Sequence, residues 1–201
     1  HETDVDNAEG VDFSFFSTIS AGDTIDFMLG AKGSKDEDWN TFKVIISDEP
    51  KDPGVSPWIL NTDMDTSVCD DDVWSYGYGD PNMNAYAGLV DDAHIIWAGT
   101  QRFVWMESSN SVQISVGPTT DGVSVPVGMH NLNPGTDGSP AIIRWTAPDT
   151  IVTSTNMIID ASFQPVSGGT VNVKVVKNVA GDSGQQTILG EEYNVTNEDP
   201  F

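Results

Sequence analysis

Val11-Asp-Phe-Ser-Phe-Phe-Ser-Thr-Ile-Ser-Ala-Gly-Asp-Thr-Ile-Asp-Phe-Met-Leu29 sets apolar side chains at alternate positions on either side of one glycine. Val11, Phe13 and Phe15 face one way, with Asp12 and Ser14 facing the other. After Gly22-Asp23, Ile25, Phe27 and Leu29 alternate with Thr24, Asp26 and Met28. A period of two marks a strand with one buried face, because successive side chains leave a pleated chain on opposite sides. Two such runs around a Gly-Asp turn predict a β-hairpin. A third strand is expected over 41–47 from Phe42, Val44 and Ile46, and Ile45 implies partial cover on its second face. Three strands are too few to fold alone, so this segment needs a partner.

Asp48-Glu-Pro-Lys-Asp-Pro-Gly-Val-Ser-Pro57 then carries three prolines and one glycine in ten residues, the composition of a stiff, extended connector. Beyond it, short β-like runs recur at 74–78, 94–97, 102–106, 112–116, 123–127, 141–146, 151–163, 170–176 and 187–189, separated by Gly, Pro, Asn and Asp. No stretch sustains a helical period. This rhythm predicts an all-β chain of sandwich or jelly-roll type. Its expected organisation is a three-strand segment at 1–48, a Pro-rich linker at 49–64 and a main body at 65–201.

Thirty-one acidic against 8 basic residues give a formal charge of −23, and 19 of the acids lie within residues 1–80. Such a field repels nucleic acid and anionic lipid, and it makes cations the natural partners. No run of apolar residues reaches membrane-spanning length. A single cysteine, Cys69, lies among carboxylates that discourage its thiolate and reads as inert. The sequence opens on His1 rather than Met, as a processed or excised product would.

Several short motifs resemble one family. Asp71-Asp-Val-Trp-Ser-Tyr-Gly-Tyr78, then Asn133-Pro-Gly135, then Ala141-Ile-Ile-Arg-Trp-Thr-Ala-Pro148, resemble the opening of β-sandwich modules found in bacterial secreted and cell-surface proteins. Those modules carry a histidine where Asn133 stands here. Their later elements, a G-T-x-V-x-V strand and a V-x-F-x-F…A-G-D-T-I-D-F pair, appear as Gly169-Thr-Val-Asn-Val173 near the C-terminus and as residues 11–27 near the N-terminus. The motif order is therefore permuted. The resemblance implies a jelly-roll fold akin to carbohydrate-binding modules and an extracellular or cell-surface address, and it implies no catalytic residue.

Three arrangements satisfy the permuted order. Residues 1–48 complete their own sandwich, or they complete a neighbour's, or the chain is one repeat of a longer tandem polypeptide. In the second case each molecule offers a groove with open sheet edges that the next molecule's strands fill. Such a contact is heterologous and propagates into a filament. Val11, Phe13, Phe15, Ile25, Phe27 and Leu29 are then the assembly residues.

Asp36, Glu37 and Asp38, with Asp63, Asp65, Asp70, Asp71 and Asp72, are the candidate metal ligands, since several oxygens on loops suit calcium. Their spacing is not that of an EF-hand, and a merely solvated acidic surface is the competing reading. Trp74, Tyr76 and Tyr78 share one strand face and are the candidate glycan-stacking residues, against the alternative that they are core. Arg144, between Ile143 and Trp145, reads as a structural charge paired with a carboxylate or carbonyl. His1, His94 and His130 lack metal-ligand spacing, and no Ser-His or Cys-His arrangement or phosphate loop occurs.

The sequence thus predicts no enzyme. It predicts an extracellular structural protein, a subunit or repeat of a filament or surface layer joined to itself by shared strands and stabilised by calcium. The alternative is a carbohydrate-binding module whose partner is a polysaccharide.

Overall fold

The computed structural model of the chain describes residues 10–32, 40–48, 57–60, 73–79, 86–89, 103–106, 112–116, 119–120, 123–124, 130–135, 137–165, 170–181 and 186–196. In chain order the strands are β1 (Val11–Ile19), β2 (Thr24–Lys32), β3 (Asn40–Asp48), β4 (Trp58–Ile59), β5 (Trp74–Gly79), β6 (Tyr86–Leu89), β7 (Phe103–Met106), β8 (Gln113–Val116), β9 (Thr119–Thr120), β10 (Val123–Ser124), β11 (His130–Asn133), β12 (Ala141–Thr146), β13 (Thr155–Pro165), β14 (Thr170–Asn178) and β15 (Gln186–Thr196). They form two antiparallel sheets, one ordered β1-β13-β3-β11-β8-β7 with β4 beside β3, the other β15-β14-β2-β12-β5-β6. A small β9-β10 ribbon lies apart from both. The all-β class and the two-sheet sandwich expected from the alternating pattern are what the chain adopts.

The predicted hairpin, in contrast, does not form. β1 pairs with β13 in the first sheet, while β2 lies between β12 and β14 in the second. The turn at residues 20–23 is an arch from sheet to sheet. A hairpin and an arch share the same alternation, but in the arch the apolar faces of the two strands look at each other across the core. Phe13 and Phe15 thus pack against a core that also holds Ile25, Phe27 and Leu29. Nor do the three leading strands form a packet, because β3 pairs with β13, β11 and β4.

Phe42 of β3 connects the layers: its ring lies 4.7 Å from Phe163 of β13 and 5.2 Å from Phe27 of β2. Phe13 meets Phe163 edge-on at 6.2 Å. Phe27, Phe42 and Phe163 are fully buried, each contributing about 1.5–3 kcal/mol relative to an exposed side chain. Trp58 of β4 closes another part of the core by packing edge-on against Trp145 of β12 at 5.5 Å. β4 lies within the stretch read as linker, pairing Ile59 with Ile45 and Trp58 with Ile46. The half-buried Ile45 therefore has the partial second-face cover expected of it.

β2 is buried on both faces rather than one. Met28 points away from the main core yet is buried with Ile142 and Val176 in a second apolar cluster. β15 runs for 11 residues where the sequence suggested three. Among the described residues β15 is the last strand of its sheet, and its ladder with β14 shifts register twice, once next to Gly190. Gly190 also lets the two sheet edges approach, since a Cβ there would lie 2.5 Å from the Phe13 ring. The strand run expected at 94–97 lies outside the described residues, as do residues 49–56 and 61–64 of the linker.

Candidate functional site: the inserted leading strands

Among the described residues, β1, β2 and β3 make no ladder with one another. Apart from β4, every strand that pairs with them lies between residues 130 and 178. β2 fills the space between β14 and β12, and β3 the space between β13 and β11. Without them each sheet would be split in two, and β13 would lose both of its partners. The leading segment is thus a set of keys cut for slots in the rest of the sandwich, and here the chain fills its own slots.

The arch is locked from residue level upward. Gly22 has φ 78°, a left-handed conformation that a side chain resists. Its N–H donates to Ala147 O at 2.8 Å, and Ala147 N–H donates to Asp23 O at 2.8 Å. The Asp23 carboxylate accepts from Ser20 N–H at 3.0 Å and Ala180 N–H at 2.9 Å, and it pairs with the Lys177 ammonium at 3.1 Å. The same ammonium donates to Thr18 O. Burial by itself raises a carboxyl's pKa. The Ala180 and Ser20 N–H groups, and then Lys177, outweigh burial and hold Asp23 below its ordinary value.

Asp26 makes the second lock. Arg144 Nε and Nη2 donate to its two oxygens at 2.6 and 2.7 Å, and Asn178 Nδ2 donates to Oδ2 at 3.0 Å. Arg144 lies directly opposite Asp26 in the β12–β2 ladder, so the planar guanidinium meets the carboxylate in a two-pronged contact. Arg144 is thereby the carboxylate-paired structural charge that its apolar flanks suggested. Asp23 and Asp26 stand in the Ala21-Gly-Asp-Thr-Ile-Asp-Phe27 motif, whose two acids both hold the C-terminal end of β14, Asp26 also gripping Arg144 of β12. Sequence reading passed over Lys177 and Asn178. Their only local signal was a cation and an amide closing an otherwise valine-rich run.

Of the assembly residues, Ile25, Phe27 and Leu29 are fully buried, while Val11, Phe13 and Phe15 are partly buried against the same core. The candidate glycan residues occupy a different environment from the one a sugar needs. Trp74 and Tyr76 are 0 % and 1 % exposed, facing the core from β5, and Tyr78 is half-buried beside them. Alternation placed the three on one face, and that face turns inward. Tyr76 Oη and His130 Nε2 share a hydrogen bond of 2.5 Å that ties β5 in one sheet to β11 in the other. Burial pushes the His130 pKa down to about 3, so the imidazole is neutral at ordinary pH.

The candidate calcium ligands, Asp36, Glu37, Asp38, Asp63, Asp65, Asp70, Asp71 and Asp72, all lie outside the described residues. Among the described residues no group of three or more His, Cys, Asp or Glu side chains is arranged to hold a metal ion. Comparison of the chain with models of known protein families, with curated proteins and with solved structures finds no match in any of the three.

Proposed function

We propose that this protein is a structural subunit of an extracellular filament or surface layer, in which the leading segment of one molecule enters the slots of the next. The observation that carries this reading is the pairing pattern: among the described residues β1, β2 and β3 make no ladder with one another and, the short β4 apart, pair only with strands remote in sequence. A segment with those properties makes the same contacts whether the slots belong to its own chain or to a neighbour. The closed and exchanged forms then differ mainly in the connector after Asp48 and in protein concentration. The permuted motif order, with its resemblance to jelly-roll surface modules, supports the same reading.

A second support is the placement of the ends. Val11 lies opposite Phe163 and Thr196 opposite Thr170, so the start of β1 lies beside the end of β13 and the end of β15 beside the start of β14. A unit whose entry and exit share one end suits head-to-tail linkage, through exchanged strands or a continuous chain. In this reading calcium, held by the acidic residues of 36–38 and 63–72, neutralises part of the −23 charge between neighbours.

Cross-linking tests the reading. Phe16 and Ile158 are directly opposite in the β1–β13 ladder. In a Cys69→Ser background, Phe16→Cys with Ile158→Cys is expected to give a ladder of disulfide-linked oligomers on a non-reducing gel after oxidation at high protein concentration. A product that is only internally linked monomer at every concentration defeats strand sharing.

A further inference from the structure

The outward face of the first sheet carries a feature that assembly does not use. β1, β13 and β3 lie side by side there, and their registers align two rows of side chains: Ser14, Asp160 and Ile45, then Asp12, Ser162 and Lys43. These six residues line a cavity of about 260 Å³, below the usual size of drug-binding pockets and suited to a small ligand. Ile45 supplies the aliphatic side of the groove.

Ser14 Oγ donates to Asp160 Oδ1 at 2.7 Å, which fixes that carboxylate with its second oxygen still available. Among the described residues Asp12 and Lys43 have no ion-pair or hydrogen-bond partner. The groove therefore presents two carboxylates as acceptors, one ammonium as a triple donor, a hydroxyl of either sense at Ser162 and an aliphatic wall. Adjacent hydroxyls of a sugar ring donate to a carboxylate and accept from an ammonium, while the C–H face of the ring packs on isoleucine. The formal charge of −23 disfavours acidic ligands.

We infer that this groove on the outer face of β1, β13 and β3 is a binding site for a neutral hexose unit of a polysaccharide. The site is separate from the buried Trp74 and Tyr76, and the inference does not depend on how the subunits assemble.

The test uses the chain of residues 1–201, with nuclear magnetic resonance titration and calorimetry against cellobiose, maltose and mannobiose. Saturable binding of at least one is expected, with shifts at Asp12, Ser14, Lys43, Asp160 and Ser162. Asp160→Asn and Lys43→Met are each expected to weaken binding by about tenfold, the scale for losing one charge-assisted hydrogen bond. The thermal midpoint of Lys43→Met should stay at the wild-type value, since Lys43 makes no contact that the fold uses. Absence of saturable binding to all three sugars overturns the inference, as do shifts confined to other strands or unchanged affinity in Lys43→Met. Equal or tighter binding of glucuronic acid overturns the neutral-sugar assignment. The cross-linking result is independent of all of these outcomes.

Discussion

Asp26 is 1 % exposed and accepts three hydrogen bonds, from Arg144 twice and from Asn178 once. Removing the carboxylate leaves a partly buried guanidinium with its main acceptor gone, a change that costs about 3–5 kcal/mol for buried pairs. Asp26→Ala is therefore expected to lower the thermal midpoint by roughly 10 °C, at the 2–4 °C per kcal/mol typical of this chain length. Circular dichroism melting checks it. The double change Asp26→Leu with Arg144→Met should recover much of the loss, because it removes both charges together. His130 gives a pH signature. The unfolded imidazole takes a proton near pH 6.5, whereas the buried one resists until about pH 3. Between those values the unfolded state binds more protons, so stability falls as pH falls, by about 1.4 kcal/mol per pH unit. The Asp23 contribution is complete above the ordinary carboxylate range and is lost as pH drops through its lowered folded pKa, again in the acid direction. Urea unfolding at pH 7, 6, 5 and 4 should show the histidine slope in the wild type and a flatter one in His130→Gln.

At the scale of elements, the fold rests on insertion. Among the described residues β13 has only β1 and β3 as sheet partners, and β2 is the one strand between the β14–β15 pair and the β12–β5–β6 group. A chain reduced to residues 49–201 is expected to lose cooperative unfolding. A synthetic peptide of residues 10–48 added in trans should restore it with one-to-one stoichiometry, read by near-ultraviolet circular dichroism of the buried tryptophans. If the fragment shows native-like cooperative melting without the peptide, the insertion account is wrong. The strands themselves were legible because alternation is a local property: β2, β3, β12 and β14 all fall where period-two patterns placed them. Their pairing was not legible. Phe13 and Phe27 each announce an inward face, but nothing near them in the chain says that Phe13 belongs beside Ala161 and Phe27 between Ile143 and Val175.

At the scale of the molecule, 31 acids against 8 bases make self-repulsion a permanent opponent of the compact state. Raising the salt concentration from about 0.1 to 1 M shortens the screening length from about 10 to 3 Å, so the thermal midpoint should climb with sodium chloride. Scanning calorimetry across that range checks it, and a flat response would mean that the charges are already spaced or neutralised. An EDTA-treated chain that gains more from calcium than from sodium at matched ionic strength would point to a specific ion site. The composition, the β class and the inward faces were written in the sequence by itself, because charge and period-two alternation need no knowledge of distant residues. The buried rings of Trp74 and Tyr76, the arch in place of a hairpin, the Asp23 and Asp26 locks and the groove across β1, β13 and β3 were decided only by the tertiary structure. Each of them depends on which strand is hydrogen-bonded to which across long stretches of chain, and a strand's backbone groups carry no address until the two sheets close around the core.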